Sequence, residues 1–492
     1  MEDFITEELV AAFHQYVSMA SQKLQPRKRG DARKGELIVF ENRALELQML
    51  VNELESKSNF SALVQETSNA LSKLGVISLP VFLAFHVQNF FRRSGYYSAA
   101  FNGRNPNIDD TLRTYIEAFT RKEVQVTYLA PIEFVDFSEP YFDFNTFKIC
   151  KFSPAELEEL LQNDVNKIFY EYAVVDVSIL SQYWFLVVTE QAAASELNTI
   201  TEEPLPSRIL MRYADFPPGV AMAIQQIALY DWSPWSRLSY YDEDLRMGWH
   251  CLNFPFLITV DDNLLERPKV APDTSGLSTM PDEETHEDIP ALLVDMNEDG
   301  SPEHFRKFVQ MIGNLFSSLR SDREAWPFLE AALNYFLKAF FSEGLEQLLW
   351  HITVIEAILG DRDPGLTSRL RKRLALILAE TDNKRKAVKK RFDELYQFRS
   401  DLVHGNYDLA QKEIYLVHLR EAHEFARRTL LWFLKYRIYV TVKYSEEGGS
   451  GAIPSREDMI YVLDLEPKSR SRIKWLIEIL PDEFPSMLRR QK

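Results

Sequence analysis

The sequence predicts a multidomain α+β protein, with a mixed α/β N-terminal region followed by an all-α helical bundle. Three observations carry that reading. Apolar residues recur at helical spacing near both ends of the chain, while stretches rich in β-branched and aromatic residues lie between them. An acidic, proline-containing segment separates the strand-rich part from the last long helical run. With 492 residues, a hydrophobic fraction of 46% and a charged fraction of 26%, the chain can bury about three cores of ordinary size.

Residues 1–24 and 37–56 show helical spacing, the second through Leu37, Val39, Phe40, Leu45, Leu47 and Leu50, and a third helix is expected over 60–74. After Gly75 the texture changes. Residues 123–137, 142–152, 169–188 and 251–260 read as strands punctuated by Pro, Asp and Asn, with a short helix over 154–163 that Ser153 can cap. The domains expected from this pattern are a helical part over 1–120 and a strand-rich α+β part over 121–262. Residues 261–304 hold 13 acids, two bases and five prolines, so 263–304 is expected to be an acidic mobile linker. Everything from 302 to 439 reads as helices, which sets a bundle over 305–441 with its core over 324–441. A Gly-rich break at 446–452 precedes a tail, 442–492, with a short helix. No repeat of 20–50 residues is visible.

The acidic start has no basic segment and no apolar run, so no signal peptide is expected. The longest apolar stretches, such as 429–434, stop at Lys435 and Arg437, short of a membrane span. Two cysteines, Cys150 and Cys251, stand outside any motif, the usage of a reduced cytoplasmic protein and too few for a cysteine-built zinc site. Net charge is −17, yet residues 324–441 carry +3 and 361–400 hold 12 bases against six acids. That basic island is either a nucleic-acid surface or a solvated helix face. No Walker sequence, Gly-rich phosphate loop or Gly-x-Ser-x-Gly elbow occurs.

The informative segment is Leu395-Tyr-Gln-Phe-Arg-Ser-Asp-Leu-Val-His-Gly405, at the C-terminal end of a helix expected to begin near Lys384 and to be capped by Gly405. On a helix His404 lies about 40° from Ser400 and about 140° from Arg399, so Arg399 and His404 can border one cleft without sharing a stripe. Leu395, Phe398 and Leu402 are expected to face the core. Cleaving an RNA phosphodiester needs a base for the 2′-hydroxyl, an acid for the 5′-oxygen and positive charge at the phosphorane. Histidine moves protons near neutral pH, and arginine offers a permanently charged fork for phosphate oxygens. No metal or other cofactor is called for, because the nucleophile belongs to the substrate. One Arg and one His per chain become a full acid–base set if two copies meet across a twofold axis.

Arg399-Ser-Asp-Leu-Val-His404 resembles the signature of HEPN domains, in which an Arg precedes a His by a few residues. The following Gly405, and Tyr396 three residues before the Arg, are similar to the Apea-like branch of that family. The resemblance extends over 324–441: residues 332–339, 352–359 and 371–378 look like the branch's first three helices and 413–437 like its closing one. Ser400 departs from the Asn, Asp or His common after the Arg, but serine occurs there in the Apea-like branch. The resemblance implies a dimerising helical bundle whose paired motifs form a metal-independent endoribonuclease, often a toxin or antiphage defence effector. It implies Arg399 and His404 as catalytic residues, RNA as substrate and a homodimer as the assembly; Ser400, Glu356 and Tyr396 are expected to support them. The other functional class is a catalytically silent HEPN module used for dimerisation or for nucleotide- or RNA-linked regulation. About 320 residues precede the bundle, so a trigger or inhibitor acting on the N-terminal region is expected.

Simpler readings stand beside these. Arg399 and His404 could serve only the last helix carbonyls and the helix dipole. Glu356, in an otherwise apolar helix, is expected either to pair with Arg399 or Arg371 or to face solvent. Lys384, Arg385, Lys386, Lys389, Lys390 and Arg391 form either an RNA backbone track or a solvated face. His418 and His423, five apart, sit about 140° around a helix from one another and do not make a metal pair. Asp361-Arg-Asp-Pro-Gly365 reads as a turn rather than a cation site. The acids of 282–288 are proposed to compete with RNA for the basic track, or else merely to solubilise the chain.

Overall fold

The computed structural model describes residues 4–24, 43–76, 78–104, 106–161, 169, 175–194, 216–237, 252–269, 274–282, 286, 288–297, 300–320, 327–361, 365–379, 381–405, 412–446 and 456–464. They form a helix-rich α+β protein with a small antiparallel sheet. Two compact units emerge, each assembled from separated stretches. One comprises Met1–Ile132, Lys148–Ile209 and Phe254–Pro290; the other comprises Glu133–Phe147, Leu210–Asn253 and Ala291–Lys492.

The first unit opens with six helices: α1 (Glu7–Leu24), α2 (Arg43–Glu55), α3 (Ser58–Lys73), α4 (Pro80–Arg93), α5 (Tyr96–Phe101) and α6 (Ile108–Thr120). The first three occupy the stretches with helical spacing, although residues 25–42 lie outside the described residues. Helix α4 is harder to read from sequence because it buries polar as well as apolar side chains: His86, Asn89 and Arg93 beside Leu83, Val87, Phe90 and Phe91. Pro80 at its first turn presets the helical φ. For α6 the start is chemical: the Asn107 side chain accepts from the backbone N–H of Asp109 and Asp110. These helices close over an aromatic core in which Phe91 packs on Phe13, Tyr16, Phe90 and Tyr97. Buried hydroxyls inside it pair off, Tyr16 with Tyr97 at 2.5 Å and Thr67 with Tyr115 at 2.6 Å.

The same unit holds a sheet in which Lys148–Cys150, Trp184–Ala193, Glu123–Ile132 and Ile258–Asp261 lie side by side, every pairing antiparallel. Helix α7 (Pro154–Leu161) starts on a reciprocal cap, as expected from Ser153. The Glu156 N–H donates to Ser153 Oγ and the Ser153 N–H donates to the Glu156 carboxylate. Leu157 and Leu161 then pack with Leu129, Phe185 and Ile258.

The structure departs from the sequence pattern at four places. The strand expected over 123–137 is two strands: Phe134 takes a left-handed φ of +70°, which breaks the run, and Phe134–Phe137 belongs to the second unit. Among the described residues of 169–188, Val177–Leu180 is a helical turn, α8, because Asp176 caps it through the Ser178 and Ile179 N–H groups, and strand begins at Trp184. In the stretch 251–260 strand begins at Ile258. The acidic segment 263–304 is not a plain linker. Asn263 and Leu265 are buried, the Leu265 carbonyl accepts from Asn89, Thr279–Pro281 pairs with Asp288–Pro290, and Leu292–Met296 pairs in parallel with Phe134–Phe137. Leu265, Leu277, Val294 and Met296 are buried anchors whose effect a charge count over the whole segment hides. Glu283, Glu284 and Glu287 of the acidic run lie outside the described residues.

The second unit contains α9 (Pro218–Ala228), α10 (Ser301–Arg320), α11 (Pro327–Phe340), α12 (Gly344–Leu359), α13 (Leu366–Leu378), α14 (Asp382–Val403), α15 (Lys412–Glu446) and α16 (Arg456–Asp464). The helices expected from 302 onward are all present. The unit is not purely helical, however, since it includes the two-stranded pair Phe134–Phe137 and Leu292–Met296, and α9 joins it from the stretch assigned to the strand-rich part. Helix α9 is fixed by Gln225, whose amide donates to Asn334 of α11. Nearby, Phe137, Phe142, Tyr230, Trp232 and Phe305 form an aromatic cluster. Helix α12 packs against α11 and α15, and α14 against α13.

In the tail expected over 442–492, helix α15 runs on to Glu446 and a short helix, α16, is present, docked by Arg373 of α13, which grips both carboxylate oxygens of Asp464 at 3.0 and 2.6 Å. Residues 447–455 and 465–492 lie outside the described residues. Among the described residues no helix is long and apolar enough to cross a membrane. Cys150 is a buried free thiol, whose pKa burial pushes up to about 11, and Cys251 lies outside the described residues.

Candidate active site

Helix α14 carries the segment singled out in the sequence. Its first turn is capped by Thr381, whose hydroxyl oxygen accepts from the Lys384 N–H. Its core face is Val388, Phe392, Leu395 and Phe398, all buried, while Leu402 is only half-buried. The helix ends as expected. The His404 N–H donates to the Ser400 carbonyl, the Gly405 N–H to the Leu402 carbonyl, and Gly405 turns left-handed at φ +71°.

Arg399 and His404 therefore sit at one open helix end, but in different settings. The His404 side chain is exposed. Arg399 is half-buried, with its guanidinium 5.3 Å from the centre of the Tyr396 ring. Its Nε is buried and has no hydrogen-bond partner among the described residues. No hydrogen bond joins Arg399 to His404 among the described residues. Ser400 is half-buried, and its carbonyl serves the helix end.

Glu356 pairs with neither arginine. Instead Tyr396 donates its hydroxyl hydrogen to Glu356 Oε1 at 2.8 Å, while Arg371 pairs with Asp393 at 2.7 Å. One phenol thus ties α12 to α14. Burial, and after it the hydrogen bond to Glu356, pushes the Tyr396 pKa up, so the hydroxyl keeps its proton across the neutral range.

The basic series divides. Arg391 is an internal strut: its Nε donates to Glu421 at 2.6 Å, another nitrogen lies 3.5 Å from Glu424, and its plane covers Phe425. Arg385 donates to the Ala379 carbonyl at the end of α13. Lys390 lies 3.6 Å from Glu394. Lys384, Lys386 and Lys389 make no ion pair among the described residues. The six-residue track expected from sequence therefore shrinks to those three lysines, with Lys390 weakly held beside them.

His418 and His423 do not meet, as their spacing requires. His418 rests on the Phe398 ring with Nδ1 3.5 Å from Glu421. His423 is buried against His351 of α12, with ring nitrogens 3.3 Å apart, a pair that no local spacing reveals. Asp361 is engaged by Arg369 and by Arg373, which places it in a structural ion network rather than a cation site. Among the described residues no group of three or more His, Cys, Asp or Glu side chains is placed to hold a metal. Arg373 and His351 are the positions that sequence reasoning missed, since each acts through a partner on another helix.

No family model, no curated protein and no solved structure matches the chain.

Proposed function

We propose that the C-terminal helical part is a metal-independent endoribonuclease of HEPN type, with Arg399 and His404 in a composite site formed by two copies. The observation that carries this reading is the end of α14. There a histidine follows an arginine by five residues, and the described fold uses neither side chain in a hydrogen bond. Neither side chain caps the helix among the described residues: the Ser400 and Leu402 carbonyls at its end are met by the backbone N–H groups of His404 and Gly405.

In the proposed reaction the 2′-oxygen forms a bond to phosphorus as the bond to the 5′-oxygen breaks. One His404 takes the 2′-hydroxyl proton and its counterpart protonates the leaving 5′-oxygen, while Arg399 neutralises the phosphorane. The products are a 2′,3′-cyclic phosphate and a 5′-hydroxyl. Lys384, Lys386 and Lys389 are assigned to the RNA backbone. Such an activity fits a regulated toxin or antiphage effector, restrained through the N-terminal unit until a trigger acts there.

Incubating the full chain with RNA in excess EDTA tests the reading. Cleavage should persist, leave cyclic phosphate ends, and fall by about 100-fold or more in Arg399→Ala and in His404→Ala. Light scattering should show a dimer. Cleavage that stops with EDTA and returns with Mg²⁺, or that survives both substitutions, would overturn it.

A further inference from the structure

An arginine has four flexible torsions, and a guanidinium stabilises a phosphorane only when held in place before the reaction. Something must therefore aim Arg399. The fold supplies no carboxylate for this purpose among the described residues. An acid there would hold Arg399 but would also occupy the fork and repel phosphate. What lies beside the guanidinium is a neutral aromatic face, that of Tyr396, one helical turn earlier on α14.

That face is itself fixed at its far edge. The Tyr396 hydroxyl donates to Glu356 on α12 at 2.8 Å, so the ring cannot swing about its side-chain torsions without breaking its bond to another helix. Glu356 is half-buried in the last turn of α12, next to the buried Ile355, Ile358 and Leu359. The end of α12 is braced as well. Arg373 donates to the Leu359 carbonyl at 2.6 Å, and Arg456 of α16 donates to the Gly360 carbonyl. A Cβ at Gly360 would meet the Glu356 carbonyl oxygen at 2.4 Å, so the chain passes there as closely as a glycine allows.

We propose that Glu356 and Tyr396 are positioning residues for Arg399: the Glu356–Tyr396 hydrogen bond locks the phenol ring as a platform on which the guanidinium lies, leaving its terminal nitrogens for a phosphate of RNA. The proposal rests on the ribonuclease reading and deepens it. Arg399 Nε is buried without a hydrogen bond among the described residues, which takes that edge of the guanidinium out of competition with water. The remaining edge is the planar two-nitrogen fork that matches phosphate oxygens. The carboxylate of Glu356 reaches Arg399 only through the phenol, which keeps negative charge out of the phosphate position.

The test is a double-mutant cycle on the full chain, read in two ways: single-turnover cleavage of an oligoribonucleotide, and binding of its uncleavable 2′-O-methyl analogue as a function of salt. Tyr396→Leu removes the platform and should lower the cleavage rate about 10- to 100-fold, the range a misplaced catalytic group costs. It should also lower the salt slope of binding by about 0.7 for each phosphate no longer neutralised, matching Arg399→Ala. Tyr396→Phe keeps the ring but frees it, and should lose a few-fold in rate with its thermal stability close to the parent's. Glu356→Ala should resemble Tyr396→Phe, whereas Glu356→Gln, which still offers an oxygen to the phenol, should be restored to near parental rate. In an Arg399→Ala background Tyr396→Leu should cost nothing more, because its effect passes through the arginine. Additive losses, an unchanged salt slope in Tyr396→Leu, or a Glu356→Gln chain as slow as Glu356→Ala would each overturn the proposal. If Arg399→Ala itself cleaves and binds like the parent, the ribonuclease reading fails first, and the two failures are thereby told apart.

Discussion

Replacing Arg373 by methionine should loosen the C-terminal helix from the rest of its unit. The Arg373 side chain is 2% exposed, and its guanidinium donates to the Leu359 carbonyl, to Asp361 at 2.7 Å and to both oxygens of Asp464. Methionine fills much of the same volume but donates nothing. Removing one member of a buried ion network costs about 3–5 kcal/mol, because the partners stay desolvated without compensation. The value should fall at the low end here. Asp464 is 35% exposed and can turn to water, and Asp361 keeps Arg369. A loss of about 3 kcal/mol corresponds to a fall of about 6–12 °C in the melting temperature of a domain of this size. Near-ultraviolet circular dichroism measures that transition, and limited proteolysis should cut first near Arg456–Asp464, the helix released. Asp464→Asn, which keeps one acceptor oxygen, should cost only about 1 kcal/mol. A methionine variant within about 1 kcal/mol of the parent would refute the view that Arg373 holds α16 in place, since no buried network would then have been broken.

Other expectations follow from the same geometry. Gly360→Ala should cost about 1–3 kcal/mol, since its Cβ would meet the Glu356 carbonyl at 2.4 Å and backbone yields little; an unchanged melting temperature would count against it. Phe91→Ala should remove about 3–5 kcal/mol from the first unit, whose aromatic core converges on that fully buried ring, and denaturant titration measures the loss. Burial acts upward on the Glu421 carboxyl, but His418 and Arg391 outweigh it and hold the pKa below the usual 4.5. A carboxyl depressed in the folded state contributes stability that is present above its ordinary pKa and lost as pH falls through the folded value. Glu421→Gln should therefore flatten the acid limb of the melting-temperature curve below about pH 4.5. Parallel limbs for parent and variant would show that the carboxylate has no such role.

Much of the architecture is legible along the chain because the relevant physics is local. Ser153 with Glu156, Gly405 after α14, and the apolar spacing of Leu395 and Phe398 act within one or two helical turns, so their pattern survives in the sequence. The grouping of Arg399 with His404 at one helix end is equally local. Elements that depend on a single cap or on a distant partner escaped. Val177–Leu180 reads as strand by residue type, yet one cap at Asp176 makes it helical. The acidic segment after Asp261 reads as solvated by its charge, yet Leu265, Val294 and Met296 anchor it, because burial is decided residue by residue and not by average composition.

The sequence by itself determined which residues could do chemistry and which helix would bear them. Only the tertiary structure decided how they are deployed. It took Arg391 and Arg385 out of the basic track by giving them partners on α15 and at the end of α13. It assigned Glu356 to a tyrosine rather than to an arginine, placed the Tyr396 ring against Arg399, and brought His351 to His423 across the bundle. Spacing along one helix specifies a direction around its own axis, whereas a hydrogen bond between helices depends on how two axes pack. That relation is set by the whole core and by no short stretch of chain.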